Sequence, residues 1–320
     1  IDKIDFAGKY VAVKIHFGEP GNLAFLRPNY AKAVCDVIKE LGGKPFLTDC
    51  NTLYVGGRKN ALDHLDSAYE NGFNPFQTGV HSIIADGIKG TDEVLVPVSG
   101  GEYVKEAKIG HAVMDADIII SLSHFKGHEN AGFGGALKNL GMGCGSRAGK
   151  MEMHSAGKPT VAQNLCIGCG ACVRICAHDA PHIVNRMASI DHTKCVGCGR
   201  CIGVCPRDAV KASMDEKGDI LNCKIAEYAK AVIDGRPHFH ISLVIDVSPF
   251  CDCHSENDVP IVPDIGMFAS FDPVALDAAC ADAVLRAPVM AGSLLDEVEH
   301  THGDHFTDVS PNTDWRRQIT

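Results

Sequence analysis

The sequence predicts an α/β fold, with a mostly parallel, doubly wound sheet and a small cysteine-rich α+β module set into it. Three observations carry this expectation. Short apolar runs of strand length, VAVKIHF at 11–17, DIIIS at 117–121 and FHISLVIDV at 239–247, read as buried strands. Helical periodicity separates them, and strand–helix–strand within forty residues implies parallel pairing. Between the second and third runs, C-x-x-C-x-x-C-x-x-x-C occurs twice, at 166–176 and 195–205, and the α/β pattern resumes afterwards. The expected organisation is therefore a discontinuous α/β domain, 1–160 and 213–320, interrupted by a module at 161–212.

The elements follow in chain order. A strand over 10–17 ends in His16 and the turn Gly18-Glu19-Pro20-Gly21. Ala31, Val34, Cys35, Ile38 and Leu41 recur at helical spacing after Pro28, and Gly42-Gly43 stops that helix. A second strand, 45–48, runs into Asp49-Cys50-Asn51. A helix is expected over 58–70, a strand over 93–98, a helix over 111–116, and a strand over 117–121 that leads to His124, Lys126 and His128. The glycine-rich run GFGGALKNLGMGCG is expected to open a short helix at 134–140 with N–H groups free for an anion. It is not a Walker loop, because GCGSRAGK has five residues between Gly143 and Gly149 and Met151 where Ser or Thr belongs. Gly157-Lys158-Pro159 reads as a linker. Beyond the module come a helix over 225–233, the strand 239–247 ending in SPFCDCH, and a helix capped by Asp272 with Pro273 at its first position. The last twenty residues give no signal.

At 320 residues and 45% hydrophobic, the chain can bury a full core plus a small module. Its formal net charge is −10, and eight ligating thiolates around two oxidised iron–sulfur cores would make it about −14. Nucleic acid and anionic membrane surfaces are thereby poor partners. The longest apolar run, near 118–122, is a strand's length, so no membrane span is expected. No charged-then-apolar leader opens the chain, which points to a cytoplasmic protein, and the missing initiator Met suggests a trimmed start.

The double cysteine run is that of two-cluster bacterial ferredoxins, in which the fourth cysteine of each run serves the other cluster. Two 4Fe-4S clusters are expected, one on Cys166, Cys169, Cys172 and Cys205, the other on Cys195, Cys198, Cys201 and Cys176. Gly168, Gly170, Gly197 and Gly199 suit the tight turns around sulfur. Structural zinc uses four ligands in two pairs, and disulfides need an oxidising compartment, so both fit this spacing less well.

Taken with VKIHFGEPGN, SHFKGHENAGFGGALKNLGMGCGSRAGKMEMHSAGKP, DVSPFCDCHSENDVPIVPDIG and SFDPVALDAA, the chain resembles the domain of unknown function 362 family, in a branch carrying a dicluster ferredoxin insert. The resemblance covers nearly the whole chain and implies the architecture more than a reaction.

Candidate catalytic residues are His16 and the alternating His124, Lys126 and His128, beside a buried strand. Cys251 and Cys253, flanked by Asp252 and His254, form a candidate further metal or thiol site. Lys138 reads equally as a surface charge or an anion clamp, Asp272 as a cap, and Cys35 and Cys280 as core. Strand ends supply Glu19, Asp49, Asn51, His124 and Cys251, so a parallel sheet would gather them on one rim, with Gly134 and Gly135 adding N–H donors. The function expected is an iron–sulfur redox protein exchanging electrons with that rim. Its counterpart is a redox partner protein or a small-molecule substrate. The alternative is an electron carrier or binding protein whose α/β domain docks a partner or small ligand without catalysis.

Overall fold

The computed structural model describes residues 3–154, 157–213 and 216–320. At its centre lies a six-stranded sheet in the spatial order Gly266–Ser270, His238–Val244, Ile118–His124, Tyr10–Lys14, Lys44–Asp49, Ser82–Ile84. Neighbouring strands are parallel except at the edge, where Gly266–Ser270 pairs antiparallel with His238–Val244. Alternation along the first strand divides the core. Val11 and Val13 pack on one face with the helices Pro28–Glu40 and Ala61–Glu70, and Ala12 packs on the other with Ala136–Cys144 and Gly218–Ile233. With both faces covered, apolar side chains are required on both, which is why these strands read as continuous apolar runs.

Several expected boundaries shift for identifiable reasons. The second helix begins at Ala61, not at 58, because the Asn60 side chain caps it by accepting from Leu62 N and Asp63 N. Arg58 is thereby released from the helix and turned inward. The helix expected at 225–233 starts at Gly218. Its first turns carry buried polar groups that mask the periodicity: Asn222 Nδ2 donates to the Asp314 carbonyl at 2.8 Å, and Lys224 Nζ to that of Glu152 at 2.8 Å. Glu93–Pro97 is a strand, but it pairs with Glu106–Gly110 outside the central sheet. GCGSRAGK leads into a helix, Arg147–His154, and the C-terminal twenty residues place Phe306 and Trp315 against Phe125 and Phe133.

In the cysteine-rich segment, Pro159–Val161 pairs antiparallel with Val210–Ala212, so the chain enters and leaves side by side. Between them lie a hairpin, Pro181–Val184 with Met187–Ile190, and two short helices, Ala171–Ile175 and Arg200–Gly203. The backbone repeats itself 29 residues on: φ is 65° at Gly168 and 73° at Gly197, 73° at Gly170 and 66° at Gly199, 49° at Asp179 and 51° at Asp208. Leu53 and Met151 from the α/β side pack with Cys172, Cys201, Ile202 and Val210. Lys59 pairs with Asp208 and donates to the Cys205 carbonyl at 3.3 Å.

Candidate functional site

None of the fifteen cysteines is paired in a disulfide. Eight of them divide between two cavities of nearly equal size. One, of about 330 Å³, is lined by Cys166, Cys169, Cys172 and Cys205, and the other, of about 340 Å³, by Cys176, Cys195, Cys198 and Cys201. Each run thus sends its fourth cysteine to the other cavity. Backbone N–H groups point at the sulfurs: Ala188 N donates to Cys166 Sγ at 3.2 Å, Ala209 N to Cys205 Sγ at 3.2 Å, and Gly197 N to Cys195 Sγ at 3.4 Å. Four sulfurs around a largely apolar hollow form a donor set that suits a thiolate-ligated metal group.

A third cavity, of about 670 Å³, opens at the carboxyl ends of the parallel strands. Its base is the point where chain order reverses, between Tyr10–Lys14 and Ile118–His124, the usual place for a ligand crevice in an open α/β sheet. Asn139 bridges this divergence, its Nδ2 donating to the Lys14 carbonyl at 3.1 Å, the Leu122 carbonyl at 3.1 Å and Ser123 Oγ at 3.0 Å. Its Oδ1 accepts from Lys14 Nζ at 2.7 Å, and Lys14 also pairs with Asp49 at 3.1 Å. Gly143 leaves room for this ammonium, because a Cβ there would lie 2.5 Å from Lys14 Nζ. Burial would raise the Asp49 carboxyl, but the surrounding charges, the Lys14 ammonium foremost, outweigh it and hold it well below the usual carboxylate range. Arg58 is bound by Glu19 at 2.7 Å and donates to His16 Nε2 at 2.9 Å; burial and the Arg58 charge keep that imidazole neutral.

Lys126 and His124 converge on the fully buried Asp252, at 3.0 Å and 2.9 Å. His124 Nε2 meets the Ile245 carbonyl at 2.8 Å, so both of its ring nitrogens face acceptors. His128 Nδ1 accepts from Asn130 N and Ala131 N, each at 3.1 Å. That fixes its proton on Nε2, the nitrogen left to donate to Cys251. Cys251 also accepts from the Cys253 thiol and has Lys138 Nζ at 3.6 Å; together these bring it well below the ordinary thiol range despite burial. Cys253, as the donor beside a thiolate, is pushed up.

On the far side of Cys253, three donor atoms, one each from Glu129, Cys253 and His254, lie within 4.8 Å of one another. His254 Nε2 is 3.1 Å from Glu129 Oε1.

The cavity brings together His16, Asp49, His124, Lys126, Lys138, Cys251 and Cys253. His128 does not line it and stands behind Cys251. Asn51 turns away, its Nδ2 donating to Asp86 Oδ1 at 2.7 Å, and Glu19 is engaged with Arg58. Gly134 and Gly135 line the cavity as expected, whereas the next two N–H groups of the glycine-rich run are already taken: Ala136 N and Leu137 N donate to the buried Asp277 at 2.7 and 2.8 Å. Their helix is Ala136–Cys144, and burial pushes Asp277 up to about 7 against those two bonds. Asp272 caps its helix, accepting from Val274 N and Ala275 N. Sequence reasoning missed Lys14, Tyr54, Arg58, Asn139 and Lys150 as lining groups, and Glu129 beside Cys253. Lys14 carried a signal, a lone charge inside a buried strand; Tyr54 and Arg58 lie in loop sequence that carries none. Lys150 is buried, bonds the Gly145 carbonyl at 2.6 Å, and has no carboxylate in ion-pair contact among the described residues.

The family whose model matches the chain is Domain of unknown function (DUF362), over residues 11–282. A thylakoid-associated protein, sll1697, of Synechocystis sp. is 27% identical over 131 residues, covering 39% of this chain and 35% of that protein. Among solved structures, the lactate racemase apoprotein from Thermoanaerobacterium thermosaccharolyticum is similar over 85% of this chain and 48% of its own, with 11% identity and a TM-score of 0.44. A Thermotoga maritima protein is similar over 87% of this chain and 55% of its own, with 13% identity and a TM-score of 0.42. The chain thus spans about a third of the curated relative and about half of each solved chain. No helix among the described residues is long and apolar enough to cross a membrane.

Proposed function

The chain belongs to the domain of unknown function 362 family, and from that premise we propose that it is an iron–sulfur redox protein, in which a dicluster ferredoxin-like module at 161–212 exchanges electrons with the cavity of the discontinuous α/β domain. The observation that carries this is the crossed sorting of eight cysteines into two similar cavities. Cys166, Cys169, Cys172 and Cys205 would hold one 4Fe-4S cluster, and Cys195, Cys198, Cys201 and Cys176 the other; bound there, such clusters supply single-electron transfer. The side-by-side pairing of Pro159–Val161 with Val210–Ala212 supports an inserted module, since an insertion is tolerated where its ends meet.

Coupling to the cavity is supported by the docking surface. The loop that carries Leu53 and Lys59 against the module also carries Thr52, Tyr54 and Arg58 into the cavity. Arg147 clasps the same loop, donating to the Thr52 carbonyl at 3.1 Å and to the Lys59 carbonyl, while Gly199 and Gly203 of the module pack on its side chain. In the cavity, Lys14, Lys126, Lys138, Lys150 and Arg58 outnumber the anionic groups paired to them, which suits a small anionic substrate.

The test is an anaerobic preparation analysed for iron and sulfide, with about eight of each expected per chain. Cys176→Ser should lower both to about four and abolish the reduced-state paramagnetic signal of the cluster on Cys195, Cys198 and Cys201, not that of its own sequence neighbours. A chain holding only zinc sinks the proposal. Re-oxidation of the reduced protein by a panel of small carboxylates and organic phosphates should be slower in Lys138→Met; equal rates would leave the α/β domain as a docking platform.

A further inference from the structure

We propose that Glu129, Cys253 and His254 form a mononuclear site for a divalent first-row transition metal, separate from the eight-cysteine module and sharing Cys253 with the lining of the strand-end cavity. The proposal goes beyond the redox reading and does not depend on it.

Geometry is the first support. A thiol sulfur, an imidazole nitrogen and a carboxylate oxygen lie within 4.8 Å of one another, with Glu129 Oε1 and His254 Nε2 3.1 Å apart. Bonds of about 2.0–2.3 Å in a tetrahedral zinc site set donor atoms about 3.3–3.8 Å from each other. The Glu129–His254 pair is slightly closer than that and the remaining pairs are bounded by 4.8 Å, so shifts on the order of 1 Å separate the two arrangements.

The second support is a buried group that lacks a partner. Glu129 Oε2 is buried with no hydrogen-bond donor. The nearest candidate, His128 Nδ1 at 3.8 Å, cannot serve, because it accepts from Asn130 N and Ala131 N. A carboxylate oxygen shut off from water without a donor is unfavourable, and a cation between Glu129 and Cys253 would give it a partner.

The third support is pre-organisation. The loop carrying Cys253 and His254 is tied to the loop after the first strand: Glu19 N donates to the Asp252 carbonyl at 3.0 Å, Asn22 Nδ2 to the His254 carbonyl at 3.1 Å, and Leu23 N to Asn257 Oδ1 at 2.9 Å. Glu129 follows Lys126–His128, which pairs with Gly132–Gly134. Both ligand segments are therefore held by hydrogen bonds that do not involve the three ligand side chains.

Soft, borderline and hard donors in one set suit zinc, cobalt(II) or iron(II) rather than magnesium or calcium. Three protein ligands with a fourth position free is the pattern of catalytic rather than structural zinc. Cys253 also lines the strand-end cavity, so the trio and the cavity share that side chain.

The test uses the full chain, prepared anaerobically and dialysed to equilibrium against cobalt(II) or zinc, with iron and sulfide measured in the same samples. One added ion per chain is expected, with the visible bands of four-coordinate cobalt. Glu129→Gln, Cys253→Ser and His254→Ala should each weaken binding at least about tenfold without lowering iron or sulfide. Glu129→Gln is isosteric, so it answers the question even if a loop variant fails to fold. Absence of an added ion overturns the proposal. So does equal binding by the three variants, or loss of the ion in Cys166→Ser with the trio intact.

Discussion

Replacing Lys14 by Met tests the base of the cavity directly. Lys14 is 1% exposed and Asp49 3%, and their charged atoms are 3.1 Å apart. At an effective dielectric constant near 20, that contact carries about 5 kcal/mol of gross Coulomb attraction. Removing the ammonium also removes its own desolvation cost, and Asp49 keeps the Arg58 guanidinium at 3.9 Å. The net loss should therefore fall at the lower end of what a broken buried pair costs, about 3 kcal/mol. Anaerobic urea unfolding of the native chain, Lys14→Met, Asp49→Asn and the double variant closes a cycle, with a coupling of about 2 kcal/mol expected. The pH dependence has a definite sign. Asp49 is held below its unfolded pKa, so its contribution is present above about pH 4 and drains away as pH falls toward the folded value. Asp49→Asn should flatten that acid limb. A loss under about 1 kcal/mol for Lys14→Met, or a coupling under about 0.5 kcal/mol, would refute the pairing as the element that holds the cavity floor.

Two further perturbations probe how the glycine-rich run is supported. Asp277→Ala strands two buried N–H groups at the start of Ala136–Cys144, so thermal or urea unfolding should register a loss of about 2 kcal/mol or more; an unchanged midpoint would mean water replaces the carboxylate at no cost. At Gly141, an added Cβ would overlap the Ile225 carbonyl of the facing helix, so Gly141→Ala should cost about 1–3 kcal/mol and loosen the Asn139 bridge; a melting temperature within about 1 °C of the native value would show that the two helices can part freely.

The sequence alone determined the α/β class, four of the six strands of the central sheet and the spacing of the eight cysteines. Each depends on a short-range rule: apolar runs such as DIIIS admit a strand covered on both faces, and a two-residue spacer brings successive sulfurs to one side of a turn. The clustering of His16, Asp49, His124, Lys126 and Cys251 was also legible, because parallel strands must end on the same rim. What each of these groups faces was decided only by the tertiary structure. Whether the N–H groups at Ala136 and Leu137 await an anion depends on Asp277, about 140 residues away, and whether His128 can donate depends on how Asn130 and Ala131 fold back onto it. Cys251 and Cys253, alike in sequence, are driven apart in acidity because Cys253 donates to Cys251, and Cys251 also accepts from His128 and Lys138. Glu129 joins Cys253 and His254 across some 125 residues. Electrostatic and hydrogen-bond partners act over a few ångströms in space, and chain order does not record which distant segments will be brought that close.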